Sequence, residues 1–196
     1  MPMIDVYATA GTFSDKHQLA ADLAGALMRI EGVPDIPMFR QNTAAFIHDL
    51  PAGDLSNVDG DSGYVRVQVL TNAGALDRAK QVAVVSQFTN MVASAAGDPA
   101  LAERTWVLLT EAVQGGWGLL GHANTNDELV AAARRQIAEL QAGAGGSSAA
   151  SLTKAAPSKR SWPRCSSGPA TATTPGPCGT PHGPPRRNAA NRLRCS

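Results

Sequence analysis

The chain has 196 residues, room for one ordinary domain and a remainder, and its net charge of +1 conceals a sharp division near residue 141. Residues 1–140 hold all 16 acidic residues against nine basic ones, a net charge of −7, while 141–196 hold the other eight basic residues and no acid, a net charge of +8. No stretch reaches the apolar length of a membrane span, and the first 140 residues contain no cysteine, which excludes a disulfide scaffold there and makes the cytoplasm the expected compartment.

Residues 3–9 alternate apolar and polar side chains, as a strand does. Gly11 punctuates the strand, and Ser14 or Asp15 can cap a following helix whose Leu19, Leu23, Ala26, Leu27 and Ile30 form one apolar face. That helix ends at Gly32, with Pro34 and Pro37 beyond it, and a second strand is expected over roughly 39–48. Pro51-Ala52-Gly53 turns the chain. The order then recurs. Residues 64–70 alternate as a third strand, Gly74 punctuates it, and Asp77 opens a helix with Val82, Val85, Phe88, Met91 and Val92 as its expected apolar face. Residues 105–110 form a fourth strand. Gly115-Gly116-Trp117-Gly118 through His122 suits a hairpin, and Thr125 or Asn126 caps a last helix over roughly 126–140.

Gly11 and Gly74 are 63 positions apart, as are Leu19 and Val82, so the chain reads as one βαβ unit used twice. Right-handed crossovers would put both helices on one face of a four-stranded sheet, an α+β fold. Residues 141–196 are rich in Ala, Gly, Ser, Pro and Thr and lack periodic apolar residues, so they are read as a disordered basic tail. Nucleic-acid contact by that tail is disfavoured, for want of interleaved aromatics, and an abrupt read-through extension is an alternative. Its Cys165, Cys178 and Cys195 match no metal-binding spacing. No metal and no cofactor is expected.

Chemistry is sought first at Pro2. Aminopeptidases remove an initiator Met when the next residue is small, and proline qualifies. The product would carry a secondary amine at the start of the first strand. Burial and nearby cations lower an amine pKa, and a neutral amine serves as a general base or nucleophile without any His or Lys. His48 and His122 are read as structural, since no spacing among the histidines suggests a metal site. Asp54, Asp59 and Asp61 lack the spacing and closing glutamate of a calcium loop.

Met1-Pro2 running into a strand, a doubled βαβ unit, and Val107-Leu108-Leu109-Thr110-Glu111 followed by Gly116-Trp117-Gly118-Leu119-Leu120-Gly121 together resemble the tautomerase superfamily. The last two segments look like the final strand and Gly-rich hairpin of 4-oxalocrotonate tautomerase. Phe46-Ile47-His48-Asp49-Leu50-Pro51-Ala52-Gly53 is similar to the mid-chain link of the fused, dehalogenase-like members. The resemblance covers residues 2 to about 140 and implies a tautomerase-like domain over 1–140. It implies a cofactor-free isomerase that interconverts keto and enol forms of a small 2-oxo acid, with Pro2 as general base and Trp117 lining the site. It also implies a homotrimer.

The family's carboxylate-binding arginines are not matched one for one. Asn72, Ala73, Gly74 and Ala75 stand where the dehalogenases and the decarboxylase place an arginine pair, which argues against a decarboxylase or hydratase. Asn72 can still hydrogen-bond a carbonyl or carboxylate. Arg40, Arg66 and Arg104 remain as candidate anion clamps, each with a structural alternative: a salt bridge for Arg40, subunit pairing for Arg66 and a solvated loop charge for Arg104. A non-catalytic trimeric relative is the other alternative.

Overall fold

The structure is a computed structural model that describes residues 1–146. The sheet is built from β1 (Met3–Thr9), β2 (Ala44–Leu50), β3 (Val65–Asn72) and β4 (Thr105–Ala112) in the order β2-β1-β3-β4. β1 pairs parallel with β2 and β3 parallel with β4, because each pair is joined by a helical crossover long enough to reverse direction twice. The two units meet through the antiparallel pairing of β1 and β3, in which Met3 faces Leu70, Asp5 faces Gln68 and Tyr7 faces Arg66. Moving 63 positions along the chain carries Asp5 onto its own partner Gln68. The pseudo-twofold axis relating the units therefore passes through that pair.

Helices α1 (Lys16–Glu31) and α3 (Arg78–Ala96) cover one face of the sheet. Asp15 caps α1 by accepting from the Gln18 amide, and Gly32 ends it in the left-handed conformation that glycine adopts without strain. Asp77 caps α3 in the same way, accepting from the Lys80 amide. Alternation along the central strands sends Ile4, Val6, Ala8, Val65, Val67 and Val69 into the helices, where all are buried. The opposite face carries Tyr7, Phe46, Arg66, Trp106 and Leu108 and has no layer over it among the described residues; Phe46, Trp106 and Leu108 are exposed.

Two expectations are corrected. Residues 39–41 belong not to the second strand but to a short helix, α2 (Pro37–Gln41), so Arg40 is a helical residue. Pro37 at its start lacks the N–H that a first helical turn leaves unused, and its φ is preset for a helix. Pairing of β2 begins only at Ala44, opposite Met3. The second correction is the phase of α3. Val84, Phe88, Val92 and Ala93 are its buried residues, while Val82 and Val85 are exposed.

Beyond β4 the Gly-rich segment forms a hairpin of β5 (Trp117–Leu119) and β6 (His122–Asn124). The final helix, α4 (Asn126–Gly146), starts in a reciprocal cap. The Thr125 amide donates to Glu128 Oε2 at 2.7 Å, and the Glu128 amide donates to Thr125 Oγ1 at 3.3 Å. The basic tail expected over 141–196 lies, apart from the end of this helix, outside the described residues. No described helix is long and apolar enough to cross a membrane.

Candidate active site

Pro2 enters β1 fully buried. Its backbone carbonyl accepts from the Ala44 amide at 3.3 Å, which ties the start of the chain to the start of β2. Met1 is buried as well, packed with Trp117 and Leu129 and flanked by Met38, Phe39 and Leu70. The terminal amine donates to Asn72 Oδ1 at 3.4 Å. Asn72 is the last residue of β3, the strand antiparallel to β1, and that pairing is what brings it to the chain's beginning.

A cavity of about 460 Å³ opens at this corner, lined among others by Met1, Glu31, Phe39, Asn72, Leu129 and Arg134. Its size falls in the roughly 300–1,000 Å³ range of small-molecule sites, and its wall is mostly apolar. The turn after β3 contributes Gly74, whose positive φ lets the backbone leave the sheet sharply, and whose amide donates to Glu111 Oε1 at 3.0 Å. α4 closes the other side with Leu129, Ala133 and Ile137.

Glu31 is the unusual member. It ends α1 only 8 % exposed, and neither carboxylate oxygen has a hydrogen-bond partner among the described residues. Burial pushes its carboxyl above the ordinary glutamate range, against the opposing pull of the amino terminus and of Lys80. Lys80 is near because its Nζ donates to the Glu31 carbonyl at 2.9 Å. Burial likewise holds the terminal amine below its ordinary value, and the Glu31 charge partly offsets this. The two groups are thus driven toward a neutral acid and a neutral amine facing one cavity.

Of the residues singled out from sequence, Asn72 and Trp117 both meet Met1, the residue before Pro2, and the three arginines lie apart. Arg40 lies on α2 in an exposed ion pair with Asp35 at 3.0 Å. Arg66 stands on the uncovered sheet face over the Tyr7 ring, 5.4 Å from its centroid, and donates to Gln68 Oε1 at 2.9 Å. Four residues of strand, about 13 Å, separate it from Leu70 beside the site. Arg104 is at the far end of the sheet, bonded to Asp98 at 2.7 Å and to the Gly63 carbonyl at 2.6 Å. The arginine that does line the cavity is Arg134 on α4, which sequence reasoning passed over; it makes no ion pair among the described residues. His48 donates through Nε2 to the Asp5 carboxylate at 2.7 Å and stacks on Tyr7, and His122 bonds Glu128 at 3.1 Å; both lie outside the cavity wall. No group of three or more His, Cys, Asp or Glu that could hold a metal occurs among the described residues.

Glu31 had a legible signal. It continues the buried stripe Leu19, Leu23, Leu27 by one further step of four, so a carboxylate falls where the pattern calls for an apolar residue. Arg134 had a weaker one, lying beside Ala133 and Ile137 on the inner side of α4.

No family model and no curated protein matches the chain. Solved structures do. The fused 4-OT protein F6, an asymmetric trimer, is 18% identical over 65% of this chain and 98% of its own, with a TM-score of 0.53. N1, a member of the cis-3-chloroacrylic acid dehalogenase family, is 22% identical over 71% of this chain and 99% of its own, with a TM-score of 0.52. A native fused 4-OT is 21% identical over 61% and 94%, with a TM-score of 0.50. The doubled βαβ sheet that carries Pro2 at its corner is therefore the tautomerase-superfamily fold.

Proposed function

We propose that the chain is a cofactor-free tautomerase that uses the amine of Pro2, freed by loss of Met1, as general base on a small carbonyl compound. One observation carries the reading: the buried start of β1 opens into an apolar cavity where desolvation favours the neutral, proton-accepting form of an amine. Loss of Met1 would vacate the space it fills against Trp117 and Leu129 and would join that space to the cavity. Pro2 then removes a proton from the carbon next to the carbonyl and returns it at a second position. Asn72 Nδ2 or Oδ1 orients the substrate, and Arg134 supplies the cation for a carboxylate at the cavity mouth.

The same reading takes the protein as a homotrimer. The uncovered sheet face, with Phe46, Trp106 and Leu108 exposed on it, supports assembly, and the fused 4-OT F6 is a trimer. Tautomerisation of phenylpyruvate or 2-hydroxymuconate by the wild type and by Pro2→Ala tests the assignment. Activity in the wild type that falls by orders of magnitude in Pro2→Ala is expected. Equal rates in the two would overturn it.

A further inference from the structure

Buried carboxylates are ordinarily paired, since an isolated charge in an apolar wall is costly. Glu31 has both oxygens buried and neither bonded among the described residues, yet it borders a cavity large enough for a ligand. A partner that arrives with the ligand accounts for this arrangement. The groups that face Glu31 are the amine of Met1, whose place the Pro2 amine adjoins along the chain, Lys80 from α3 and, across the same cavity, Arg134 from α4. None of them bonds its carboxyl oxygens.

We propose that Glu31 is a second catalytic residue, a carboxylic acid that protonates the carbonyl oxygen of the substrate while the Pro2 amine removes the neighbouring carbon-bound proton. This rests on the assignment of Pro2 as base. The nitrogen lone pair of Pro2 takes the proton, and the C–H electrons form the new carbon–carbon double bond. The carbonyl π electrons then take the proton of Glu31, whose O–H bond breaks. The enol leaves behind an ammonium on Pro2 and a carboxylate on Glu31. Transfer of one proton from the ammonium to the carboxylate restores the starting pair, so nothing is consumed. The acid performs at the oxygen what a cationic side chain otherwise does, in a corner whose third-strand turn offers Asn72 and no arginine.

Because the pair works holding one proton, the rate must fall both when the amine gains a second proton and when Glu31 loses the only one. The experiment compares wild type, Glu31→Gln, Glu31→Met and Pro2→Ala on phenylpyruvate across pH, with a titration of 15N-labelled Pro2 followed by NMR. For Glu31→Gln, kcat is expected to drop about 100-fold with KM little changed, and the alkaline limb of the profile should vanish. In the titration, the wild-type amine should show two steps. Glu31→Gln should show one, at lower pH, since the charge that raised the amine's affinity for protons is gone.

A wild-type rate and profile in Glu31→Gln, with Pro2→Ala inactive, overturns the role of Glu31 and leaves that of Pro2 intact. An active Pro2→Ala overturns the base instead. If phenylpyruvate is not turned over, the titration decides: superimposable curves in wild type and Glu31→Gln overturn the pair. Glu31→Met keeps the side-chain length without charge and serves if the amide variant folds poorly.

Discussion

Asn126 determines which atom Asn72 shows to the amino terminus. Its Oδ1 accepts from Asn72 Nδ2 at 3.2 Å, so the Oδ1 of Asn72 is left turned toward the terminal amine. Asn126 is in turn held by its own Nδ2, which donates to the Ala73 carbonyl at 2.9 Å, and by its amide, which donates to Gln114 Oε1 at 3.1 Å. Asn126→Ala removes both side-chain bonds. It should lower stability by about 1–2 kcal/mol, read as a shift in urea midpoint at constant slope. It should also lower kcat on phenylpyruvate more than it changes KM. An unchanged midpoint would show that the two amides contribute nothing.

The unpaired carboxyl of Glu31 makes a prediction about stability as well as chemistry. Burial raises its folded pKa, so the native state keeps the proton to higher pH than the unfolded chain does. Stability from this group is therefore greatest at low pH, falls as pH rises above the ordinary glutamate value, and is lowest once the folded group has ionised. Glu31→Gln removes the penalty. It should be more stable than wild type by about 1–3 kcal/mol at pH 8, and the gap should close near pH 4. A variant that is more stable and less active is the signature of a residue kept for function. A constant gap across that range would contradict the ionisation account.

Glu128 runs the other way. The Thr125 amide, then His122 and the Thr125 hydroxyl, hold its carboxyl below the ordinary value, so it adds stability above that value and loses it as pH falls through the lowered one. Glu128→Ala should melt at a lower temperature than wild type at pH 7. Their melting points should converge at about pH 3. Because α4 forms one wall of the cavity, the same change should weaken substrate binding at neutral pH.

The phase of α3 can be tested directly. Phe88 is fully buried beneath the sheet, so Phe88→Ala should cost about 3–5 kcal/mol. Val82→Ala, at an exposed site on the same helix, should change stability by no more than about 0.5 kcal/mol. Comparable losses would place the helix in the orientation first expected from sequence.

Arg134→Gln should raise KM for phenylpyruvate about tenfold with kcat nearly unchanged, as loss of an interaction made equally in ground and transition state does. The neutral amide leaves the helix intact. Unchanged kinetics would exclude Arg134 from carboxylate binding.

Much of this arrangement was legible. Periodicity located β1, α1 and the capping Asp77, and narrowed the cap of α1 to Ser14 or Asp15, because local hydrogen bonds and a one-sided apolar stripe act within a few residues. The repeat at 63 positions pointed to the parallel pairing within each unit, but not to the antiparallel pairing of β1 with β3 that joins the units. What was lost were matters of three-dimensional context. Residues 39–41 are apolar or long enough to pass for strand, and it is Pro37 at the helix start together with the docking of Met38 and Phe39 against the Met1 cluster that makes them helical. α3 is apolar on more than one side, so its phase is set by which residues reach the sheet: Val84, Phe88 and Val92 do, while Val82 does not. The arginines were judged by their spacing to a family pattern. Within the chain, Arg40, Arg66 and Arg104 all have local partners, and the cavity takes its cation from a helix outside the repeat.

The pseudo-twofold axis through Asp5 and Gln68 carries a consequence for the number of reactive centres. Sixty-three positions on from Met1 and Val33 stand Tyr64 and Ala96, and the same distance back from Ala75 stands Thr12; these line a second hollow of about 180 Å³. Thr9 occupies there the place of Asn72, and Ser94 is the counterpart of Glu31. The two corners are siblings, but a polypeptide has one beginning. At the second corner the chain simply continues through Tyr64 into Val65, and Arg104 bolts the gap by bonding Gly63 and Asp98. Repetition has supplied two corners, one open as a cavity and one closed by the Arg104 bonds. Under the proposed function each chain contributes a single working centre, and the twin corner serves only as masonry.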